Sequence, residues 1–169
     1  MGYVNDVSLS QFIPTSQFVC DLASTWSYSG AGDTPGLYHE ATGTLPIYIP
    51  IALPGSANRN QGAKIKSIDV YYKVDTAALT SVAEPALHKV TLSANGSDLS
   101  AADVDTSLDS GHDAAAERIT VASHKMTVTP DIPFYLVGDA YTVLELSFVG
   151  SASSELFVLG AQVNYEIRL

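Results

Sequence analysis

One cysteine, Cys20, stands in 169 residues. No intrachain disulfide can staple this chain and no cysteine-based zinc site can form; a lone Cys reads as a small buried hydrophobe. Charge is scarce as well. Asp, Glu, Lys and Arg make up 15% of the residues, against about 25% in ordinary soluble domains. That shortage points to surface that faces another protein rather than water. Basic residues are scarcest: eight against eighteen acidic, for a net charge of −10. They are scattered along the chain, whereas phosphate binding needs them clustered, so nucleic acid is not an expected partner. No apolar run approaches the ~18 residues that cross a bilayer as a helix. The opening MGYVNDVSLSQF has neither the basic nor the apolar part of a secretory leader. It also carries Asp6 where a myristoylation signal wants Ser or Thr. These absences predict a protein made in the cytoplasm without an export signal and with no membrane partner. A Gly-x-Ser-x-Gly elbow, a helix-spaced histidine pair and a fixed-period repeat are all missing too.

What is present is alternation. In TLPIYIPIALP, Leu45, Ile47, Ile49, Ile51 and Leu53 fall on every second residue, the period of a strand with one buried face. Pro46, Tyr48, Pro50 and Ala52 take the other face. Proline cannot donate to a ladder and is confined to edges, strand starts and bulges, which predicts an edge strand. A turn-rich PGSANRNQG leads to a second run, in which Ile68, Val70, Tyr72 and Val74 alternate with polar residues. The two runs are expected to pair with each other.

Residues 1–43 differ from the rest of the chain. Short apolar clusters are broken by Pro14, and a Gly-, Ser- and aromatic-rich stretch precedes Thr44. We read a strand near Val7 to Phe12, a second near Gln17 to Ala23, and then a loop. The segment forms an N-terminal arm with an aromatic/Gly-rich loop (1–43), set before a β-domain (44–169). Further on, His88 to Ala94 alternates, and Ser97 or Asp98 caps a short helix through Val104. The phase change between Ile119 and Val128 predicts a bulge near Ser123. Tyr141 to Val149 buries Thr142, Leu144, Leu146 and Phe148. Phe157, Leu159, Ala161, Val163, Tyr165, Ile167 and Leu169 alternate to the last residue. Seven to nine strands separated by turns predict an all-β, antiparallel sandwich, jelly-roll-like or immunoglobulin-like.

Chemistry-bearing residues are thin. His39, His88, His112 and His124 read as surface or core histidines, and no catalytic residue, cofactor or metal site is assigned. The acidic residues Asp98, Asp103, Asp105, Asp109 and Asp113 form either a solvated loop or a calcium loop; calcium takes six to eight oxygens, but EF-hand spacing is absent. Trp26, Tyr28, Tyr38, Tyr48 and Tyr71 combine apolar area with a polar handle. They suit a sugar platform, a contact with a neighbour, or a plug at the end of the sandwich.

The order of parts — VSLSQFIPTS, a Trp–Tyr–Gly-rich loop, LPIYIPIALP, GAKIKSIDVYYKV and a closing VLGAQVNYEIRL — resembles the small β-sandwich structural proteins of tailed phages, of the capsid decoration, head-fibre or tail-associated type. The resemblance covers most of residues 7 to 169 and rests on pattern rather than on an invariant motif. It implies a non-enzymatic virion component, often trimeric, working through contacts with itself and with other virion proteins. The expected contact residues are Pro46, Tyr48, Pro50, Trp26, Tyr28 and Tyr38. The alternative is a carbohydrate- or receptor-binding module, with a glycan as partner.

Overall fold

The computed structural model describes residues 6–20, 26–29, 36–40, 42–53, 63–92, 99–136 and 140–168. Twelve strands are seen among them. In chain order they are β1 (Asp6–Pro14), β2 (Ser27–Ser29), β3 (Gly36–Glu40), β4 (Gly43–Ile51), β5 (Ala63–Asp75), β6 (Ser81–Val82), β7 (Ala86–Leu92), β8 (Leu99–Val104), β9 (Thr106–Leu108), β10 (Ala122–Pro130), β11 (Ala140–Gly150) and β12 (Glu155–Arg168). A single 3-10 turn (Thr15–Gln17) and a one-turn helix α1 (Ala115–Arg118) complete the described elements. All the pairings are antiparallel, and two sheets form a sandwich. The larger runs β2-β3-β12-β5-β10-β9, with β1 also on β12; the smaller runs β4-β11-β7-β8, with β6 on β11. The strand number exceeds seven to nine because β2, β6 and β9 span three residues or fewer, too short for alternation to show, while β3 lies in the stretch expected to be a loop and β8 in the one expected to be a helix.

The core follows the alternation. Ile47, Ile49 and Ile51 of β4 and Leu144, Leu146 and Phe148 of β11 are sealed inside, against Ile68, Val70 and Tyr72 of β5, Met126 of β10 and Val163 of β12. The inward assignments of Ile49, Val70, Leu146 and Val163 therefore hold.

Several expectations need correction. The two runs that open the β-domain do not pair. β4 lies at the edge of the small sheet beside β11, while β5 sits between β12 and β10 in the large one. Alternation tells which side chains turn inward, not which strand lies alongside. The expected helix through Val104 is instead strand β8, paired with β7 from Leu87↔Val104 to Leu92↔Leu99. Of the strand expected over Gln17–Ala23, only residues 17–20 are described, and there the turn is followed by one bridge, Val19↔Tyr48; 21–23 lie outside the described residues. No bulge occurs near Ser123; α1 precedes a regular β10 that pairs without interruption with β5 from Ala122 to Val128. The phase change is the step from helix to strand.

The irregularities lie in β12 and β5. Val158 faces Tyr72 and Gly160 faces Tyr71, so Leu159 is an extra residue; Asn164 faces Ser67 and Tyr165 faces Ile65, so Lys66 is another. Each bulge reverses which parity points inward. Leu156 and Val158 are buried before the first bulge, and Ala161, Val163 and Tyr165 after it. Phe157 and Leu159, expected inside, turn to the outer face. Gly160 has a φ of +149°, which residues with a Cβ rarely adopt. The Phe12 ring lies where that Cβ would be.

The prolines of β4 sit as edge placement requires. Tyr48 exchanges both backbone hydrogen bonds with Val19, at 2.9 Å each, so its N–H and C=O point off the sheet. Pro46 and Pro50 share its parity, and their missing N–H groups fall on that same outer edge.

Candidate functional site: the outer face of the seven-stranded sheet

Pairing brings five positions into one row across the large sheet: Ser27, Tyr38, Phe157, Lys73 and Ser123. Tyr38 and Phe157 lie with ring centroids 4.9 Å apart at 38°. Lys73 Nζ stands 5.8 Å from the centre of the Phe157 ring and pairs with Asp75. The Tyr38 hydroxyl donates to Glu40 Oε2 at 2.7 Å. Burial first, then that bond, then the charges of Glu40 and Glu155 push its pKa up to about 12, so Tyr38 remains a neutral phenol.

Beyond the aromatic pair the face turns polar. Asp69, 4% exposed, accepts from Thr127 Oγ1 at 2.7 Å and from Asn164 Nδ2 at 3.2 Å. It also takes Lys125 Nζ at 3.0 Å. That hydrogen bond and then the Asp69 charge hold the Lys125 ammonium above its usual range. Asn164 Nδ2 also donates to Ser67 Oγ at 3.1 Å, and its Oδ1 accepts from Gln162 Nε2 at 3.4 Å. A buried carboxylate thus orients amides on β12 and a hydroxyl on β10. Sequence reading saw scattered basic residues, yet Lys66, Lys73 and Lys125 share this face. Each has an acid beside it, so the face attracts neither sign strongly.

The sequence-selected aromatics separate. Tyr38 and the half-buried Tyr71 lie on this face. Tyr48, 39% exposed, lies on the outer face of the small sheet opposite Glu145, beside Pro46 and Pro50. Trp26 is 2% exposed and packs edge-on to His39 at 6.0 Å; it is a core residue and offers no surface. Tyr28 is exposed at the sheet edge and donates to the Thr15 carbonyl at 3.4 Å. Sequence reading missed Phe157, Phe12, Gln162 and Asn164. The available signal was Gly160, since an isolated glycine in a strand pattern marks a bulge.

The histidines are spent on neighbours. His88 on β7 lies between Asp103 at 2.8 Å and Glu145 at 3.2 Å. His112 contacts Asp109 through Nδ1 at 2.9 Å and His124 through Nε2 at 3.2 Å; His124 Nε2 reaches the Thr120 carbonyl at 2.9 Å. His124 stacks on Tyr72 at 4.5 Å. Buried Arg118 donates to the carbonyls of Val82, His112 and Asp113. This cluster ties the 109–124 connection to the sandwich.

The acidic residues disperse: Asp103 goes to His88, Asp113 accepts from the Ala114 N–H, and Asp98 lies outside the described residues. Asp109 accepts from the N–H groups of Thr127 and Gly111 as well as from His112. Among the described residues no group of three or more His, Cys, Asp or Glu is arranged to hold a metal ion.

The fold defines a class, the two-sheet antiparallel β-sandwich. No family model matches the chain, and no curated protein matches it. Solved structures do match. One is TmCBM61 in complex with beta-1,4-galactotriose, at 11% identity and a TM-score of 0.38, covering 92% of this chain and 86% of that one. Another comes from work on the promiscuous specificity of carbohydrate-binding modules of the β-sandwich superfamily, at 9% identity and a TM-score of 0.33; it covers 98% of this chain and 56% of that one. Likeness at this level concerns the sandwich alone.

Proposed function

We propose that this protein is a non-catalytic binding module that holds a carbohydrate on the outer face of its seven-stranded sheet. The observation that carries the reading is that the Tyr38–Phe157 pair and the Gln162–Asn164–Asp69–Thr127–Lys125 network lie on the same outer face of one sheet. A sugar has apolar C–H patches and a rim of hydroxyls. It needs a ring to cover the first and fixed donors and acceptors for the second, and specificity comes from such few placed polar groups. The non-catalytic part is supported by the bonding of His88, His112 and His124 to carboxylates, to each other and to a carbonyl, which among the described residues leaves none of the three paired with a hydroxyl nucleophile.

A glycan array followed by calorimetry tests this. Phe157→Ala is expected to weaken binding about tenfold, the equivalent of roughly 1.4 kcal/mol, while Tyr48→Ala on the opposite sheet leaves it unchanged. Binding that depends on Tyr48 and ignores Phe157 would refute the assignment of the face. Trp26→Ala is no test, because a buried residue acts through folding.

A second reading is favoured by a separate observation. Leu9, Val19 and Tyr28, all in the N-terminal segment, are exposed; Val19 lies beside Tyr48, which Pro46 and Pro50 flank on an outer face whose nearest charge is Glu145 on β11. Interface cores are depleted in charge and enriched in Tyr. This supports a contact with another protein at that edge; it is the resemblance in sequence pattern that makes the reading a virion structural protein of the phage decoration type, assembled as a homotrimer with other virion proteins as partners. Light scattering tests it: Tyr48→Lys should dissociate the assembly, and a wild-type protein that is monomeric at tens of micromolar would refute it.

A further inference from the structure

We infer that the carbohydrate is a neutral, linear chain that runs along β12, from the Tyr38–Phe157 pair across Phe12 to a second subsite between β1 and β5. This inference rests on the carbohydrate reading above. At the far end of the same face is an open groove of about 400 Å³, whose lining includes Leu9 and Tyr165 and the polar Ser8, Ser10, Lys66, Asn164 and Glu166. That volume lies within the range of small-molecule sites, about 300–1,000 Å³. The groove exists because Lys66 is the extra residue of the second bulge, and bulges re-aim side chains.

Its polar groups have capacity left. Lys66 Nζ and Glu166 Oε1 stand 3.4 Å apart and both are partly exposed, longer than the 2.7–2.9 Å of a tight charge-assisted bond. An ammonium has three donors and a carboxylate about four acceptor sites, so each has room for a ligand. The hydroxyls of Ser8 and Ser10 have no hydrogen-bond partner among the described residues. Asn164 is held in place from Ser67 and Asp69.

This mixture selects the chemistry. A phosphate, sulfate or uronate wants donors only, and Glu166 repels it. A neutral sugar hydroxyl donates to Glu166 and accepts from Lys66 at once. Between the two ends, Phe12 is 55% exposed and faces Gln162 in register, so a third ring lies on the path. Phe157 and Asn164 face Lys73 and Ser67, which are six positions apart on β5, about 20 Å along a strand at ~3.3 Å per residue. A single sugar ring occupies one end; only a chain occupies both.

The experiment is calorimetry with cello-, manno- and xylo-oligosaccharides, from the disaccharide to the hexasaccharide, with heparin as the anionic control. For at least one series, affinity is expected to rise with length. The double variant Ser10→Ala/Glu166→Gln should weaken the hexasaccharide about tenfold, as expected for one or two lost hydrogen bonds, and leave the disaccharide unchanged. Phe157→Ala should weaken every length. A hexasaccharide that binds no tighter than a disaccharide, while Phe157→Ala still reduces binding, overturns the extended path and leaves the aromatic site standing. Heparin binding more tightly than every neutral chain overturns the neutral class. Absence of binding by all probes overturns this inference together with the reading it rests on.

Discussion

Replacing Gly160 with alanine probes the bulge on which the candidate face depends. The glycine holds a φ of +149°, and a Cβ there would run into the Phe12 ring and lie 3.1 Å from the Ile13 carbonyl oxygen. Two costs add. Forcing a side chain into a sparsely populated backbone region costs about 1–3 kcal/mol. Moving Phe12, or the strand that carries it, adds an overpacking cost of about 1–3 kcal/mol. A total near 3 kcal/mol corresponds to a fall in Tm of about 6–12 °C for a domain of this size. Urea denaturation followed by far-UV circular dichroism measures the first quantity and thermal melting the second. The two contributions separate in the double variant Gly160→Ala/Phe12→Ala. Phe12 is mostly exposed, so its truncation alone should cost little. In the double variant the steric part is relieved and the backbone part stays, giving a coupling of about 1–2 kcal/mol. A Gly160→Ala loss below about 0.5 kcal/mol, the scale of an ordinary surface change, contradicts both costs. It would mean that β12 holds its alternation without the bulge, and Phe157 would then not face outward beside Tyr38.

Other outcomes rest on the packing and the charges. Ile49→Ala and Leu146→Ala should each cost roughly 2–4 kcal/mol in denaturant titrations, because both side chains are sealed between the sheets; losses under half a unit at both would contradict the registers. Thr142 Oγ1 is fully buried without a partner among the described residues, so Thr142→Val, which keeps the shape and removes the orphan hydroxyl, should raise stability by about 1–2 kcal/mol, and a lower melting temperature would show that the hydroxyl is satisfied. Burial pushes the Asp109 carboxyl up, but hydrogen bonds from Thr127, His112 and Gly111 outweigh it and hold the group below its ordinary value. With an unfolded value near ~3.9, its contribution is complete above about pH 5 and is lost as pH falls through the lower folded value. Asp109→Asn should therefore flatten the acid limb of the stability curve below about pH 4, and an unchanged limb would show that the bonds do not persist in solution.

By itself the sequence settled the class of fold and the inward faces. Alternation in 45–53, 68–74 and 141–149 decides which side chains leave water, because the pleat has a period of two residues and burial of apolar area dominates folding. It also placed β4 at an edge, since Pro46 and Pro50 lack the N–H that an inner strand must donate. What alternation does not carry is partnership between strands: that β4 lies beside β11 and faces β5 across the core is set by the packing of the two sheets. Nor does it carry phase across an interruption. One extra residue at Leu159 turned Phe157 from an expected core position into the ring beside Tyr38, and another at Lys66 opened the groove by Glu166. The candidate face is built from residues far apart in the chain, among them Phe12, Tyr38, Asp69, Thr127, Phe157 and Asn164. Pairing brings them together, and pairing is set by the packing of whole sheets rather than by the local pattern of any one strand.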